Sequence, residues 1–339
     1  MTVHDVAAKA NVSTASVSRV INGSAFVSDA TSRKVRKAID ELGFEPNSSA
    51  RKLRQQQTHN IGLVVSEFSN PFFPSVISAA VNVAGENGYS IFVIAGGNPE
   101  EEVQRLVASR SVDGVLLVHS GQNPASVTAL NNLKVPVVAF DRAPSELDVP
   151  LVQTDNGVGA EEVVQHLVDT GCERIAHITG PEGLSVSTER RDAYEKTLRA
   201  NGMAFDERLV IPGDFSEQSG ARAVENLLES PTKPDAIFAA NDLMAIGAMS
   251  AAKTHGLDVP DELAIAGFDG IAISGYVTPA LTTYAQAIDD VARVCVSMLL
   301  ERLQNSAADS SLDGDVRTIK LKGELVVRES TRQRAEVTQ

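Results

Sequence analysis

The chain contains no tryptophan, and aromatic residues make up only 4% of it. An interior without large rings is filled by aliphatic side chains, so each phenylalanine beside a chain reversal carries more weight than usual. Cysteine is nearly absent. Cys172 and Cys295 stand far apart, a spacing that supports neither a disulfide framework nor a thiolate metal site and leaves both as core residues. The histidines, at positions 4, 59, 119, 166, 177 and 255, never fall four apart, which removes the helical zinc-ligand pattern. Neither a metal nor a cofactor is expected. There is no apolar run of about 18 residues and no apolar leader, so a cytoplasmic location is expected and a membrane is not.

Catalytic motifs are missing too. No G-x-x-x-x-G-K-[ST] phosphate loop occurs, and Gly157-Val158-Gly159 lacks the third glycine of a dinucleotide loop. Gly183-Leu184-Ser185 lacks the closing glycine of a nucleophile elbow. The acidic pairs Glu100-Glu101 and Glu161-Glu162 sit in helical patterns and read as solvated faces. An enzyme is therefore not expected.

What is present begins at the N-terminus. Val6, Ala7 and Ala10 recur at helical spacing, Asn11-Val12 interrupts them, and Ser13 is placed to cap a second helix that turns Val17, Val20 and Ile21 inward. This leaves Thr14, Ala15, Ser16 and Arg19 facing outward. Small polar side chains at a helix start, with an arginine one turn on, suit a helix whose N-terminal end enters the DNA major groove. An ordinary helical hairpin with a solvated face is the plain alternative.

Charge favours the DNA reading. The whole chain carries −14, yet residues 1–57 hold nine Lys/Arg against five Asp/Glu, a net of +4, which leaves −18 for the rest. The positive charge lies on Arg33, Lys34, Arg36, Lys37, Arg51, Lys52 and Arg54, where phosphates would be met, while the acidic remainder is repelled from a duplex. At 339 residues the chain accommodates such a head and a two-lobed body.

The segment DVAAKANVSTASVSRVIN, followed by LGFEPNSSARKL, resembles the head of the lactose/galactose repressor family. The resemblance implies a helix-turn-helix head over residues 1–46. It implies a hinge helix and linker over 47–57, around Pro46-Asn47 and the Gln55-Gln56-Gln57 tract, and a body over 58–339. DNA contacts are then expected from Thr14, Ala15, Ser16, Arg19, Asn22, Ala50, Leu53 and Arg54, with Leu53 wedged into the minor groove of a palindromic operator. A leucine simply packed against the body is the alternative.

From Ile61 the pattern changes to strand, helix, strand. Apolar runs at 61–65, 91–95, 115–118 and 135–140 alternate with helical windows, Phe73 to Glu86 being the first, and the rhythm returns at 175–179, 209–211, 236–240 and 263–267. Buried strands separated by helices predict a parallel sheet in each of two α/β lobes. The resemblance adds the periplasmic sugar-binding-protein architecture, with chain crossings near Asp155, Gln286 and Leu312. The N-lobe is thus expected at about 58–155 and 286–312, and the C-lobe at about 156–285 and 313–330.

Ligands of such sheets lie beyond the carboxyl ends of the strands. The residues there are Asn70, Phe72, Phe73, Asp141, Arg142, Arg190, Phe215, Asn241, Phe268, Asp269 and Gln286. Phenylalanine faces cover the C–H surfaces of a sugar, and carboxylates, amides and guanidinium groups fork onto paired hydroxyls. Each also has a plain reading: Asn70-Pro71 starts a helix, Asp141-Arg142 pairs at a strand end, and Asn241-Asp242 caps the next helix. As a set they most resemble the ribose-type members of the family. The expected protein is a homodimeric repressor controlled by ribose or a related pentose. A hexose, purine or sugar-phosphate effector remains open, as does a sugar-binding module or enzyme with an incidental helical head. No leucine heptad follows Glu329, so a tetramer is not expected.

Overall fold

The computed structural model describes residues 1–21, 27–44, 57–65, 67–95, 99–118, 128, 130–141, 147–306 and 317–332. They divide into two compact units, Met1–Thr58 and His59–Gln339. Among the described residues no helix is long and apolar enough to cross a membrane.

The first unit holds α1 (Val3–Ala10), α2 (Thr14–Ile21) and α3 (Asp29–Leu42). A reciprocal Thr2–Asp5 capping box opens α1, and Asn11 ends it in the left-handed region at φ 52°. Ser13 Oγ then accepts from the Ser16 backbone N–H at 3.1 Å and starts α2. Val6, Ala7, Ala10, Val17, Val35, Ala38 and Phe44 close a small apolar core among the three helices, with Val20 and Ile21 packed at its margin.

The second unit carries two six-stranded sheets. The N-lobe sheet runs β2 (Ser90–Ala95), β1 (Asn60–Val65), β3 (Gly114–Val118), β4 (Val137–Phe140), β5 (Leu151–Thr154) and β11 (Thr318–Leu321), all parallel. The C-lobe sheet runs β7 (Val210–Pro212), β6 (Ile175–Thr179), β8 (Ala236–Ala239), β9 (Ala264–Asp269), β10 (Thr282–Ala285) and β12 (Glu324–Val326), with β12 alone antiparallel. Helices α4 (Phe72–Glu86), α5 (Pro99–Ala108) and α10 (Ile288–Ser306) belong with the first sheet. Helices α6 (Asn156–Asp169), α7 (Ser185–Ala200), α8 (Glu217–Glu229) and α9 (Asp242–Thr254) belong with the second. The eight apolar runs all lie within or overlap strands, and both cysteines are buried in the apolar clusters.

The chain passes between lobes at Asp155 and again at Gln286-Ala287, where the Ala287 N–H donates to Thr154 Oγ1 at 3.2 Å. The third passage corrects the sequence expectation. It lies at Lys322-Gly323 rather than near Leu312, because β11 pairs in register with β5 and so belongs to the N-lobe sheet. TIKL has alternating exposed and half-buried residues, the pattern of an edge strand, and offers no apolar run to detect. Gly323 is required at this passage: a Cβ there would stand 2.2 Å from the Ala285 carbonyl oxygen.

One buried polar residue of the C-lobe makes stability depend on pH. His177 on β6 is fully enclosed and stacked between Tyr194 and Phe238, at 5.0 and 4.7 Å between ring centroids. Its Nδ1 donates to the Phe238 carbonyl at 2.9 Å. Burial pushes the imidazole down to about 4, whereas the unfolded chain titrates near the ordinary 6.5. Between these values the unfolded state binds the extra proton, so this contribution to stability is complete above about 6.5 and is lost as pH falls toward 4. Urea melts of wild type and His177→Phe at pH 7 and pH 5 should show the wild type losing about 2 kcal/mol more than the variant; equal losses would remove His177 as the cause.

Candidate functional site

In the head, Thr14, Ala15 and Arg19 are exposed along one side of α2. Ser16 is half-buried and its hydroxyl already meets that of Ser13 at 2.9 Å, so it serves the turn as well as the outward face. On α3, Arg33, Lys34, Arg36 and Lys37 are exposed, while Val35 and Ala38 are buried between them. Lys37 and Lys9 both pair with Glu41, at 3.8 and 3.1 Å, which ties α1 to α3 and neutralises part of the basic face. Asn22, Ala50, Leu53 and Arg54 lie outside the described residues.

In the body Asp141, Phe215, Asn241, Asp269 and Gln286 lie at or just beyond the carboxyl ends of strands. Asp141 follows β4 at φ 67°, Phe215 follows β7 at φ 68°, and Asp269 closes β9 at φ 122°. Side chains other than glycine seldom adopt these angles. Such strain, of order 1–3 kcal/mol each, persists only where surrounding contacts enforce it, and it concentrates at binding sites.

Arg190 is the centre of the C-lobe group. It arrives from the second turn of α7, not from a strand end, and is only 1% exposed. Its Nε donates to Asn156 Oδ1 at 2.9 Å and its Nη1 to the Ala240 carbonyl at 2.5 Å. Asp269 Oδ1 lies 3.8 Å from Nη1, and the guanidinium carbon stands 3.8 Å above the Phe268 ring. Gln286 closes the cluster: its Nε2 donates to Asp269 Oδ1 at 2.8 Å and its backbone N–H to the Asp269 carbonyl at 3.1 Å. Buried Arg190, Phe268 and Asp269 and half-buried Gln286, drawn from α7, β9 and the β10 end, are thereby held in one group.

Two other candidates carry structural duties. Asn241 caps α9, accepting from Met244 N–H at 2.9 Å, and its Nδ2 donates to the Phe215 carbonyl at 3.0 Å. It therefore holds Phe215 in its strained turn. Asn70 accepts from Phe72 N–H at 2.9 Å and folds the start of α4. Phe72 and Phe73 are buried, packed edge to face at 5.5 Å, in an apolar cluster that also takes Leu243 and Ile271 from the C-lobe. The cluster thus spans both lobes. Arg142 lies outside the described residues.

The structure also places residues that the sequence reading passed over. Asn156 orients Arg190, although in sequence it is merely the residue before an incomplete G-x-G. Asp242 is fully buried, accepts from Thr283 Oγ1 at 2.5 Å and from Ile271 N–H at 2.9 Å, and so secures the loop that follows Asp269. Burial, and then the negative charge of Asp269, raise its carboxyl well above the usual carboxylate range. Glu189, next to Arg190 on α7, reaches the N-lobe: it accepts from Lys320 Nζ at 2.6 Å and from Gln153 Nε2 at 3.4 Å. Among the described residues no cluster of His, Cys, Asp and Glu is placed to hold a metal ion.

Comparison with known proteins agrees with these two parts. Residues 2–47 match the model for bacterial regulatory proteins of the lacI family, and residues 164–331 match that for a periplasmic binding protein-like domain. The chain is 35% identical to the ribose operon repressor of Halalkalibacterium halodurans over 337 residues, covering 98% of this chain and 97% of the relative. It is also 35% identical to the HTH-type transcriptional repressor CytR of Escherichia coli over 335 residues, covering 98% and 96%. Among solved structures, the lac repressor dimer bound to operator and the anti-inducer ONPF matches with a TM-score of 0.84 at 28% identity, covering 98% of this chain and 99% of that one. The named relatives are transcriptional repressors, not enzymes.

The double duty of Asn241 is measurable. Asn241→Ala should cost about 1–2 kcal/mol in urea denaturation, the usual worth of a helix cap. Asn241→Asp keeps the acceptor for Met244 but not the donor to Phe215, and should recover only part of that loss. A wild-type stability for Asn241→Ala would show that the cap is not working.

Proposed function

Because the chain belongs to the lacI family of bacterial regulatory proteins, we propose that it is a cytoplasmic, homodimeric repressor that binds a palindromic operator and is controlled by a small neutral sugar, ribose or a close pentose relative. The observation that carries the effector reading is the largely buried group in which Arg190 of α7 meets Phe268, Asp269 and Gln286 at the carboxyl ends of C-lobe strands. An aromatic face beside a carboxylate, an amide and a guanidinium is the chemistry that recognises a polyhydroxylated ring. Arg190 has its charge offset by Asp269, its Nε engaged by Asn156 and its Nη1 by the Ala240 carbonyl. A phosphate would therefore gain little from it and would face the carboxylates of Asp141 and Asp269, which argues for a neutral ligand. The ribose operon repressor supports a pentose; the equally similar CytR leaves that support to the site itself.

Helix α7 supplies the coupling. Arg190 belongs to the effector group, and Glu189 beside it grips β5 and β11 of the N-lobe through Gln153 and Lys320. A ligand that draws on Arg190 biases the lobe-to-lobe contacts, and the same bistable element then changes the affinity of the heads for DNA; the effect of each ligand on the other is reciprocal. A second copy of the chain is the natural partner. Val81, Phe92 and Val93 are exposed on α4 and the edge strand β2, and Tyr276 is 83% exposed on the C-lobe. Two-fold pairing would present two copies of α2 to two half-sites.

Two measurements test this reading. Arg19→Ala should cost about 1–3 kcal/mol of specific operator binding in a gel-shift titration, the worth of one base contact; undiminished affinity would refute its role. Calorimetry with ribose, glucose, galactose, hypoxanthine and ribose 5-phosphate should show binding of ribose at least about tenfold tighter than the others, since hydroxyl-matched sites reject analogues that leave their polar groups unpaired. Binding of a hexose or hypoxanthine, with none of ribose, would overturn the pentose assignment and leave the repressor assignment standing.

A further inference from the structure

We infer that Tyr284 is a positioning residue of effector control: its ring packs on Phe268 of the effector group, and its hydroxyl fixes Gly323 at the third passage between the lobes. The inference rests on the effector reading above. Tyr284 is the third residue of β10, in register with Phe268 on β9 and Leu325 on β12. It is wholly buried. Its ring centroid lies 5.1 Å from that of Phe268 at a tilt of 33°, and the Arg190 guanidinium carbon stands 3.8 Å from the same Phe268 centroid. Phe268 therefore touches Arg190 and Tyr284 at once. At the far end of the ring, Tyr284 Oη accepts from the Gly323 N–H at 2.9 Å. Arg190, Phe268, Tyr284 and Gly323 form one continuous line of contacts from the effector group to the crossing, the kind of packed chain that carries coupling between sites.

Two glycines let this line close. A Cβ on Gly159 of α6 would lie 2.6 Å from Tyr284 Cε1 and 2.8 Å from Phe268 Cε2, so the second glycine of the incomplete G-x-G admits the ring pair and has no phosphate to serve. A Cβ on Gly323 would lie 2.7 Å from Tyr284 Cε1. The crossing that receives the hydroxyl is also joined to other parts of the body. Leu321 accepts from the Asp155 N–H at 2.8 Å, which ties the third passage to the first, and Lys322 pairs with Glu162 of α6 at 2.7 Å. Phenylalanine would fill the same space beside Phe268. What tyrosine adds is one buried hydroxyl, costly to desolvate, whose bond goes to the backbone of the crossing.

The test is Tyr284→Phe, which keeps the ring and removes the bond to Gly323. An operator duplex is selected by the wild type from a random pool, and gel shifts give the ratio of its affinities without and with ribose for both proteins. In the variant this ratio should move toward one by about threefold to tenfold, the worth of one neutral hydrogen bond, and amide hydrogen exchange at Gly323 should no longer respond to ribose. A merely structural hydroxyl would lower the melting temperature and leave the ratio unchanged. That result, or an exchange response at Gly323 equal to that of wild type, would overturn the inference. If wild type binds no ribose, the effector reading fails, and exchange at Gly323 in the ligand-free proteins still decides whether this hydroxyl anchors the passage. Exchange at least about threefold faster in the variant would support the anchor, and equal exchange would overturn it.

Discussion

A single enclosed guanidinium organises the body. Arg190 is almost wholly removed from water, and an unpaired charge in that position would cost several kcal/mol. It is tolerated because Asn156, the Ala240 carbonyl, Asp269 and the Phe268 face surround it. These four come from three segments: the start of α6, the end of β8 and the last residues of β9. Satisfying one charge therefore determines where three chain segments meet, and that meeting point is the candidate effector site. Gln286 extends the network to the second passage between the lobes through its bonds to Asp269.

The geometry around this charge explains how the rest is held under strain. Phe215 and Asp269 adopt left-handed backbone angles, and both are secured by neighbours, Asn241 for one and Gln286 for the other. Helices α8 and α9 can bring Phe215 and Asn241 together because they touch through glycine. A Cβ on Gly247 would stand 1.9 Å from the Glu217 carbonyl oxygen, and one on Gly220 would stand 2.0 Å from that of Met244. Close backbone approach replaces side-chain packing at this crossing, which is one way a chain poor in aromatics keeps a dense interior.

The lobes are joined by two kinds of contact with different consequences. Phe72, Phe73, Leu243 and Ile271 share an apolar cluster, which is indifferent to small changes in direction. Glu189, Gln153 and Lys320 form a polar link that depends on geometry. With Arg190 and Glu189 adjacent on α7, the buried polar group and the lobe contact are one residue apart, so a small rotation of this helix acts on both.

Local signals were legible in the amino-acid order. The turn between α1 and α2 could be read from Asn11 and Ser13, whose short side chains act on neighbouring backbone, and the alternation of apolar runs with helical windows disclosed two parallel sheets. The strand-end residues could be nominated because sheet topology alone decides where ligands approach. The assignment of β11 to the N-lobe was not legible, since TIKL at a sheet edge needs no apolar run and its partner β5 lies more than 150 residues earlier. Nor were the roles of Asn156, Asp242 and Glu189, or the inward path of Phe72 and Phe73. Hydrogen-bond satisfaction is a property of groups distant in sequence, so only the folded chain shows which asparagine serves a charge and which one caps a helix.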